Sequence, residues 1–265
     1  MGSGTVPADE LEEFVAFAGQ LADASRAELR AAIGQPVEAD PKGDGSPVTA
    51  IDRAVEARLR ETIAARYPDH GIVGEEHGAA APKSEWVWVL DPIDGTLPFL
   101  AGIPVFGTLI ALLRDGVPQV GVIDMPATEQ RWLGCRGRPS TLNGTPVRTR
   151  ACPALTEALI STSNPDFYGA ADRPALERLK AATRWTVYGG SCLAYAQLAA
   201  GRTDLGMDVA FDPYDYLALV PVIEGAGGVI TDWRGQPLTL ASGDRILAAG
   251  DPARHAEALE ILAQT

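Results

Sequence analysis

The stretch that decides the fold runs from Trp86 to Leu100 and reads WVWVLDPIDGTLPFL. Its first five residues are apolar, which predicts a buried strand. Asp91 and Asp94 follow directly, although an ionised carboxylate is costly to bury unless a positive group meets it. The stretch therefore predicts a buried strand whose end needs a cation.

The overall charge favours a cation as that partner. The 265-residue chain has 22 Lys and Arg residues against 35 Asp and Glu residues, a net charge of −13. This balance disfavours nucleic acid or an anionic membrane as a partner, since either would call for a basic patch. No apolar run reaches the roughly 18 residues that a membrane span needs, and we expect a soluble protein.

The cysteines and the first residues indicate the compartment. Cys135, Cys152 and Cys192 are odd in number, scattered, and form no CxxC pair. They suit a reducing compartment and not a disulfide or zinc framework. The opening MGSGTVPADELEEF lacks the basic and apolar regions of a secretory signal, and its MGSG fits a native start or an expression remnant equally. We expect a cytoplasmic protein.

Helices and strands are intermixed along the chain. Apolar residues at helical spacing predict helices over residues 9–32 and 49–67, separated by a Gly- and Pro-rich loop. VFGTLIALL and QVGVIDM predict an antiparallel pair, RWLGCRG a third strand, and residues 151–265 alternate between the two element types. This mixture predicts a layered α/β or α+β architecture. We expect residues 1–150 and 151–265 to form two halves of one integrated unit.

The two aspartates of DPIDGT can be interpreted in two ways. With the Ile93 carbonyl between them, Asp91 and Asp94 form a cluster of hard oxygens of the kind that holds Mg²⁺. Alternatively, Asp94 forms an Asx-turn and caps a helix. The segment alone leaves both interpretations open.

The other acidic candidates are also explicable without function. Asp52 follows Thr49 by three residues, which matches a helix capping box. Asp215 stands at the start of a predicted helix, where the dipole favours a carboxylate. Glu75, in IVGEEHG, fits a solvated loop. Taken singly, none of them requires a catalytic role.

Their order along the chain resembles the inositol monophosphatase family. The motifs are GSPVTAID, GEE, DPIDGT, and an Asp at the head of a helix that ends in EGAGG. DPIDGT is the most specific of them, and the match covers nearly the whole chain. The resemblance implies a layered α-β-α-β-α sandwich, dimeric as a rule, that hydrolyses small phosphomonoesters with Mg²⁺ and is inhibited by Li⁺.

The resemblance also implies a metal-ligand set for two or three Mg²⁺ ions. Glu75, Asp91 and the Ile93 carbonyl would hold one ion. Asp91 would bridge to a second ion that Asp94 and Asp215 complete. Glu75 would also help to hold a third ion through waters.

Further roles follow from the same resemblance. Thr96, hydrogen-bonded to Asp52, would orient and deprotonate the attacking water. The backbone N–H groups of Gly95 and Thr96 would bind the phosphate, as helix amino termini do. Lys42 stands where the family has a mobile loop with a basic residue.

The carboxyl-terminal motifs look most like the histidinol-phosphatase branch, which implies L-histidinol phosphate as substrate and a place in histidine biosynthesis. Ser191 stands where that branch carries an Asp that would offset the amine of histidinol, although Ser also fits a helix N-cap. Asp208 stands where the family commonly has a Glu for the leaving alcohol, and Leu97 replaces a basic residue. Inositol 1-phosphate or a sugar phosphate is the alternative substrate. A metal- or phosphate-binding regulator is the non-enzymatic alternative.

Overall fold

The computed structural model describes residues 6–43, 45–81 and 83–264, so the leading MGSG lies outside the described residues. Helices and strands alternate after an amino-terminal helical pair. The helices are α1 (Ala8–Ala32), α2 (Ala50–Arg66), α3 (Thr96–Ala101), α4 (Arg173–Ala182), α5 (Ser191–Ala199), α6 (Pro213–Tyr216), α7 (Leu219–Gly225) and α8 (Pro252–Leu262). The strands are β1 (Ala39–Pro41), β2 (Pro47–Thr49), β3 (Gly71–Gly74), β4 (Gly78–Ala80), β5 (Trp86–Asp94), β6 (Gly107–Arg114), β7 (Val117–Met125), β8 (Gln130–Cys135), β9 (Thr141–Leu142), β10 (Thr145–Pro146), β11 (Leu159–Thr162), β12 (Trp185–Tyr188), β13 (Leu205–Asp208), β14 (Val229–Asp232) and β15 (Ile246–Ala249).

Two sheets carry most of these strands. The larger has the order β10-β9-β8-β7-β6-β5-β3-β4 and is antiparallel except where β3 runs parallel to β5. The smaller has the order β12-β11-β13-β15-β14, with β11 parallel to both of its neighbours. The predicted antiparallel pair and third strand are confirmed as β6, β7 and β8.

Three hydrophobic clusters define the layers. Helices α1 and α2 cover one face of the larger sheet, and α5 and α7 lie between its other face and the smaller sheet. Helices α4 and α8 cover the outer face of the smaller sheet. The predicted α-β-α-β-α sandwich is therefore confirmed. The middle cluster takes residues from both sides of position 150, including Leu109 and Leu219.

Helix α7 approaches the larger sheet closely because two glycines leave room for it. A Cβ atom on Gly121 of β7 would collide with the carbonyl oxygen of Ala218, at the start of α7. A Cβ atom on Gly134 of β8 would collide with the backbone of Pro221 and Val222. The helix therefore rests on the sheet by backbone contact at two points.

Three local features differ from the sequence-based expectation. The predicted loop before α2 contains the short hairpin β1–β2. The single helix predicted from Pro213 onward is divided into α6 and α7, since Pro221 has no N–H to donate to the Leu217 carbonyl. Asp91 and Asp94 belong to strand β5 itself and do not follow it.

None of the helices in the described part of the chain is long and apolar enough to cross a membrane.

Candidate active site

Three carboxylates from two distant parts of the chain meet at the end of β5. Asp91 and Asp94 are on that strand, and Asp215 is on α6. One carboxylate oxygen from each lies within 4.8 Å of the others. The pairing of β5 with β6 shifts register between Asp91 and Asp94. This irregularity is consistent with the re-aiming of side chains that bulges produce beside functional sites.

Neighbouring groups hold the irregular segment of β5 in place. The Thr108 hydroxyl donates to the Pro92 carbonyl oxygen at 2.9 Å, and the Ser25 hydroxyl of α1 lies 2.5 Å from that of Thr108. The Cys192 backbone N–H, at the start of α5, donates to Asp94 Oδ2 at 2.5 Å. Asp94 is thus held by a helix amino terminus, and Gly95, not Asp94, occupies the N-cap position of α3.

The cluster brings three acidic side chains together, of which Asp91 is buried and Asp94 and Asp215 are partly buried. Burial raises the pKa of Asp91 well above its usual value, and the charges of Glu75, Asp94 and Asp215 raise it further. Burial likewise raises the pKa of Asp215, with Asp94 as the next cause. Burial also raises the pKa of Asp94, although its hydrogen bond from Cys192 opposes the shift. The three groups repel one another without a positive ion between them.

Glu75 adjoins this cluster from the turn between β3 and β4. It lies close enough to Asp91 for a hydrogen bond between the two carboxyl groups. Lys42, from the loop between β1 and β2, approaches Glu75 Oε1 to 2.5 Å and Glu76 Oε1 to 2.7 Å. Burial alone would lower the pKa of Lys42, but its bonds to Glu75 and Glu76 raise it overall. The ammonium group therefore stays charged beside the carboxylates.

The expected hydrogen bond between Thr96 and Asp52 is not found among the described residues. The Thr96 hydroxyl donates to the Ile93 carbonyl oxygen at 3.2 Å. Asp52 Oδ2 instead accepts hydrogen bonds from the backbone N–H of Thr49 at 2.8 Å and from its hydroxyl at 2.5 Å. The capping box supplies these closer donors, so the structural interpretation of Asp52 holds in this structure. Asp52 Oδ1 is buried and has no hydrogen-bond partner in the described part of the chain.

Ser191 lies against the DPIDGT segment, but it does not cap α5. Gly190 occupies the N-cap position, and Ser191 is the first helical residue with a φ of 48°. An ideal Cβ atom on Gly95 would lie 2.5 Å from Ser191 Oγ. Glycine at position 95 is required for this close approach as well as for its φ of 86°. Ser191 is thus held at the edge of the cluster by a strained turn.

Asp208 is buried in a hydrogen-bond network on the smaller sheet. Its Oδ1 accepts from the Ser163 N–H at 2.6 Å and the Thr162 hydroxyl at 3.1 Å, and its Oδ2 accepts from Tyr195 at 2.9 Å. Burial raises the pKa of Asp208 to about 6. The Ser163 hydroxyl beside it is buried without a partner. Nothing in the pattern of the sequence pointed to Thr162, Ser163 or Tyr195.

The donor set of the cluster fits a hard divalent cation. All of the side-chain ligand atoms are carboxylate oxygens, and Mg²⁺ binds through one or two carboxylates together with waters and phosphate oxygens. Asp91 Oδ1 is buried without a hydrogen-bond partner among the residues that the structure describes. Such an orphaned anionic oxygen is costly unless a cation meets it.

Comparison with known proteins agrees with the observed fold. The sequence profile of the Inositol monophosphatase family matches residues 10–265. The structure superimposes on an inositol monophosphatase from Zymomonas mobilis with a TM-score of 0.88 and 38% identity, over 96% of this chain and 98% of the other.

Curated relatives carry more than one substrate name. The Arabidopsis thaliana protein named bifunctional phosphatase IMPL2, chloroplastic, is 43% identical over 96% of this chain and 76% of its own length. A Mycobacterium tuberculosis histidinol-phosphatase is 37% identical over 74% of this chain and 78% of its own. From the same organism, the probable inositol 1-monophosphatase ImpA is 38% identical over 81% of each. The chain belongs to the inositol monophosphatase family of phosphatases.

Proposed function

We propose that this chain is a Mg²⁺-dependent phosphomonoesterase whose main substrate is L-histidinol phosphate. The observation that carries the metal-dependent reaction is the group of buried Asp91 and partly buried Asp94 and Asp215, with oxygens within 4.8 Å of one another. The substrate is proposed from the carboxyl-terminal motifs and from relatives named histidinol-phosphatase. Mutual repulsion and burial favour any process that brings a cation among them. Two or three ions would be held by these side chains together with Glu75 and the Ile93 carbonyl.

Bound Mg²⁺ supplies Lewis acidity toward phosphate oxygens and lowers the pKa of a coordinated water. The chain's own groups bind and orient the substrate. The backbone N–H groups of Gly95 and Thr96 would donate to the phosphate. The Thr96 oxygen, whose proton is used on Ile93, keeps lone pairs that accept a hydrogen bond from the attacking water.

Two further residues have proposed roles in the reaction, Asp52 as a proton acceptor and Lys42 as a balancing charge. Asp52 keeps one buried oxygen without a partner among the described residues, which supports a role in accepting a proton, although no contact with Thr96 connects it to the attacking water in this structure. Lys42 is held at the site by Glu75 and Glu76. Its ammonium group would balance negative charge on the phosphate of a bound substrate.

The choice of alcohol depends on Ser191 and Asp208. Asp208 already accepts three hydrogen bonds from the protein, so it has little capacity left for an amine or a hydroxyl of the substrate. Ser191 brings no negative charge to the edge of the cluster, and Leu97 is 59% exposed and brings no positive charge. These features favour inositol 1-phosphate or a sugar phosphate as the second candidate.

Phosphate release tests both candidates. The kcat/KM values for L-histidinol phosphate and inositol 1-phosphate are measured with Mg²⁺ for the wild type and for Ser191→Asp. We expect the wild type to prefer histidinol phosphate and the substitution to raise that preference by about fivefold or less, since a solvent-accessible ion pair contributes about 1 kcal/mol at most. A preference for inositol 1-phosphate in the wild type would replace the substrate assignment. If no phosphate were released from a panel of small phosphomonoesters, the proposed phosphatase activity would be wrong and a metal-binding regulator would be favoured.

A homodimer is also proposed, from the free edge of the smaller sheet. Strand β12 pairs only with β11 among the described strands, and three of its side chains are exposed: Trp185 by 60%, Val187 by 46% and Tyr188 by 46%. Large exposed apolar groups on an open edge are typical of an association surface. Sedimentation of the wild type and of Trp185→Lys tests this. Dimeric wild type and a monomeric variant are expected, and a monomeric wild type would contradict the proposal.

A further inference from the structure

Helix α2 carries a buried carboxylate, Glu56, that has no role in the assignments above. It lies one helical turn after Asp52, and its side chain is fully buried. Its Oε2 accepts a hydrogen bond from the Glu76 N–H at 2.7 Å, and its Oε1 accepts one from the His77 N–H at 3.2 Å. Arg60, one further turn along α2, donates to the same Oε1 at 2.6 Å. The carboxylate therefore faces the turn that carries Glu75.

Two other groups of α2 contact the same turn. The Arg60 guanidinium also donates to the Gly78 carbonyl oxygen, and the His77 ring nitrogen Nε2 lies 3.1 Å from the Arg53 carbonyl oxygen. The turn between β3 and β4 is thus hydrogen-bonded to α2 at Glu76, His77 and Gly78. On its other side, the Glu75 N–H donates to the Leu90 carbonyl oxygen at 3.2 Å, beside Asp91.

Gly74, which precedes Glu75, gives a second and independent sign of the same contact. A Cβ atom at this position would collide with the Glu56 carboxylate. Gly74 is not among the glycines with a positive φ, so its backbone conformation does not require glycine. Glycine is required here because the Glu56 carboxylate occupies the space that a Cβ atom would take. The glycine of the GEE motif is therefore explained by the approach of Glu56.

We infer that Glu56 is a positioning residue, which fixes the turn so that Glu75 is aimed at the metal cluster. The inference rests on the proposed function, since it concerns how well the site binds Mg²⁺. Groups that orient a metal ligand from behind typically contribute about 10- to 100-fold in metal affinity. A purely structural role would change the unfolding temperature and leave the affinity unchanged.

The test is calorimetric Mg²⁺ binding to metal-free protein, with kcat at saturating Mg²⁺ as a second readout. Glu56→Gln is expected to weaken Mg²⁺ binding by about 10- to 100-fold, with a smaller change in kcat. Gly74→Ala keeps every charge but displaces the carboxylate, and it is expected to weaken binding similarly. The double variant should be no weaker than the worse single variant. Glu61→Gln, an exposed position on the same helix, is the matched control and should bind as the wild type does.

The outcomes separate the two proposals. A wild type that binds no Mg²⁺ would contradict the proposed function itself. A wild type that binds Mg²⁺, with Glu56→Gln and Gly74→Ala binding equally well, would overturn the positioning role even if both variants melt earlier. Should Glu56→Gln fail to fold, Gly74→Ala and the shorter Glu56→Asp decide the question by the same affinity measurement.

Discussion

Asp124 and Asp91 are both buried aspartates of the larger sheet, but their surroundings are opposite. Asp124, on β7, accepts hydrogen bonds from Arg26 at 2.9 and 2.7 Å and from Arg131 at 2.5 Å. Asp91, on β5, faces other carboxylates and keeps one oxygen without a partner. Arginines of the protein itself meet the first aspartate, whereas the proposed function assigns Mg²⁺ ions from solution to the second. A buried carboxylate paired with arginines is typical of a structural ion pair, whereas a buried carboxylate among other carboxylates is typical of a candidate cation site.

The largest effect is expected from removing the charge of Asp91. Asp91→Asn should lower kcat/KM by about 1,000-fold or more, equivalent to about 4 kcal/mol of transition-state stabilisation. In metal-free protein the same substitution should raise the free energy of unfolding, because it relieves the repulsion from Asp94 and Asp215. Steady-state kinetics and urea unfolding in EDTA measure the two effects. A variant that lost stability in EDTA would show that Asp91 is structural.

Asp124→Asn should give the reverse pattern. It leaves Arg26 and Arg131 without their shared carboxylate, and breaking a buried ion pair costs about 3 kcal/mol. The free energy of unfolding should fall by that amount, with kcat/KM of the folded protein changed by only a few-fold. Asp23→Asn removes the exposed partner of Arg131 and serves as the control, with a loss below about 1 kcal/mol. Loss of activity without loss of stability would contradict the contrast between the two sites.

The pH dependence of stability sharpens the same contrast. Burial raises the pKa of Asp91 and Asp215, so the folded metal-free protein binds their protons more tightly than the unfolded chain does. Their favourable contribution is full below the unfolded pKa of about 4 and is lost as the pH rises through the folded pKa. In EDTA, the free energy of unfolding should therefore fall as the pH rises from 4. Saturating Mg²⁺ should remove this fall, and an identical slope with and without Mg²⁺ would argue against metal binding at the cluster.

The smallest effect concerns a buried base. His255 is 5% exposed, and its Nε2 lies 3.0 Å from the Thr231 hydroxyl. Burial lowers the pKa of His255, so its contribution to stability is present above the unfolded pKa of about 6.5 and is lost as the pH falls. Unfolding of the Mg²⁺-bound protein between pH 7 and 5 should show this loss, and His255→Gln should reduce it. An unchanged slope in the variant would assign the loss to another group.

Predictions from the sequence succeeded where the signal was local. DPIDGT places Asp91 and Asp94 within one short segment, and the spacing of Leu59 and Ile63 is sufficient to predict α2. The family resemblance added Asp215, which lies 121 residues beyond Asp94 and which the structure brings to the same cluster. The short strands β1 to β4 were not predicted, because three or four residues carry too little periodicity.

Contacts between elements that are distant along the chain could not be predicted from the sequence. Glu56 on α2 reads as one more charged residue of a helix, and only the fold shows that its carboxylate fills the space beside Gly74. A hydrogen bond between Thr96 and Asp52 was expected. In the structure Thr96 donates to the Ile93 carbonyl oxygen and Asp52 accepts from Thr49, and both partners are three residues away along the chain. The substrate role of Asp208 stays a prediction, and nothing in the sequence indicated that partners 45 and 46 residues away would donate hydrogen bonds to its carboxylate.

The glycine-lined contact between α7 and the larger sheet bears on how the chain acquires activity during refolding. Asp215 lies just before α7, so we expect it to reach Asp91 and Asp94 only after that helix has packed onto Gly121 and Gly134. Pairings across so much intervening chain form slowly. Helical circular dichroism should consequently recover ahead of enzymatic turnover, and the interval between the two signals would time the docking of the two sheets.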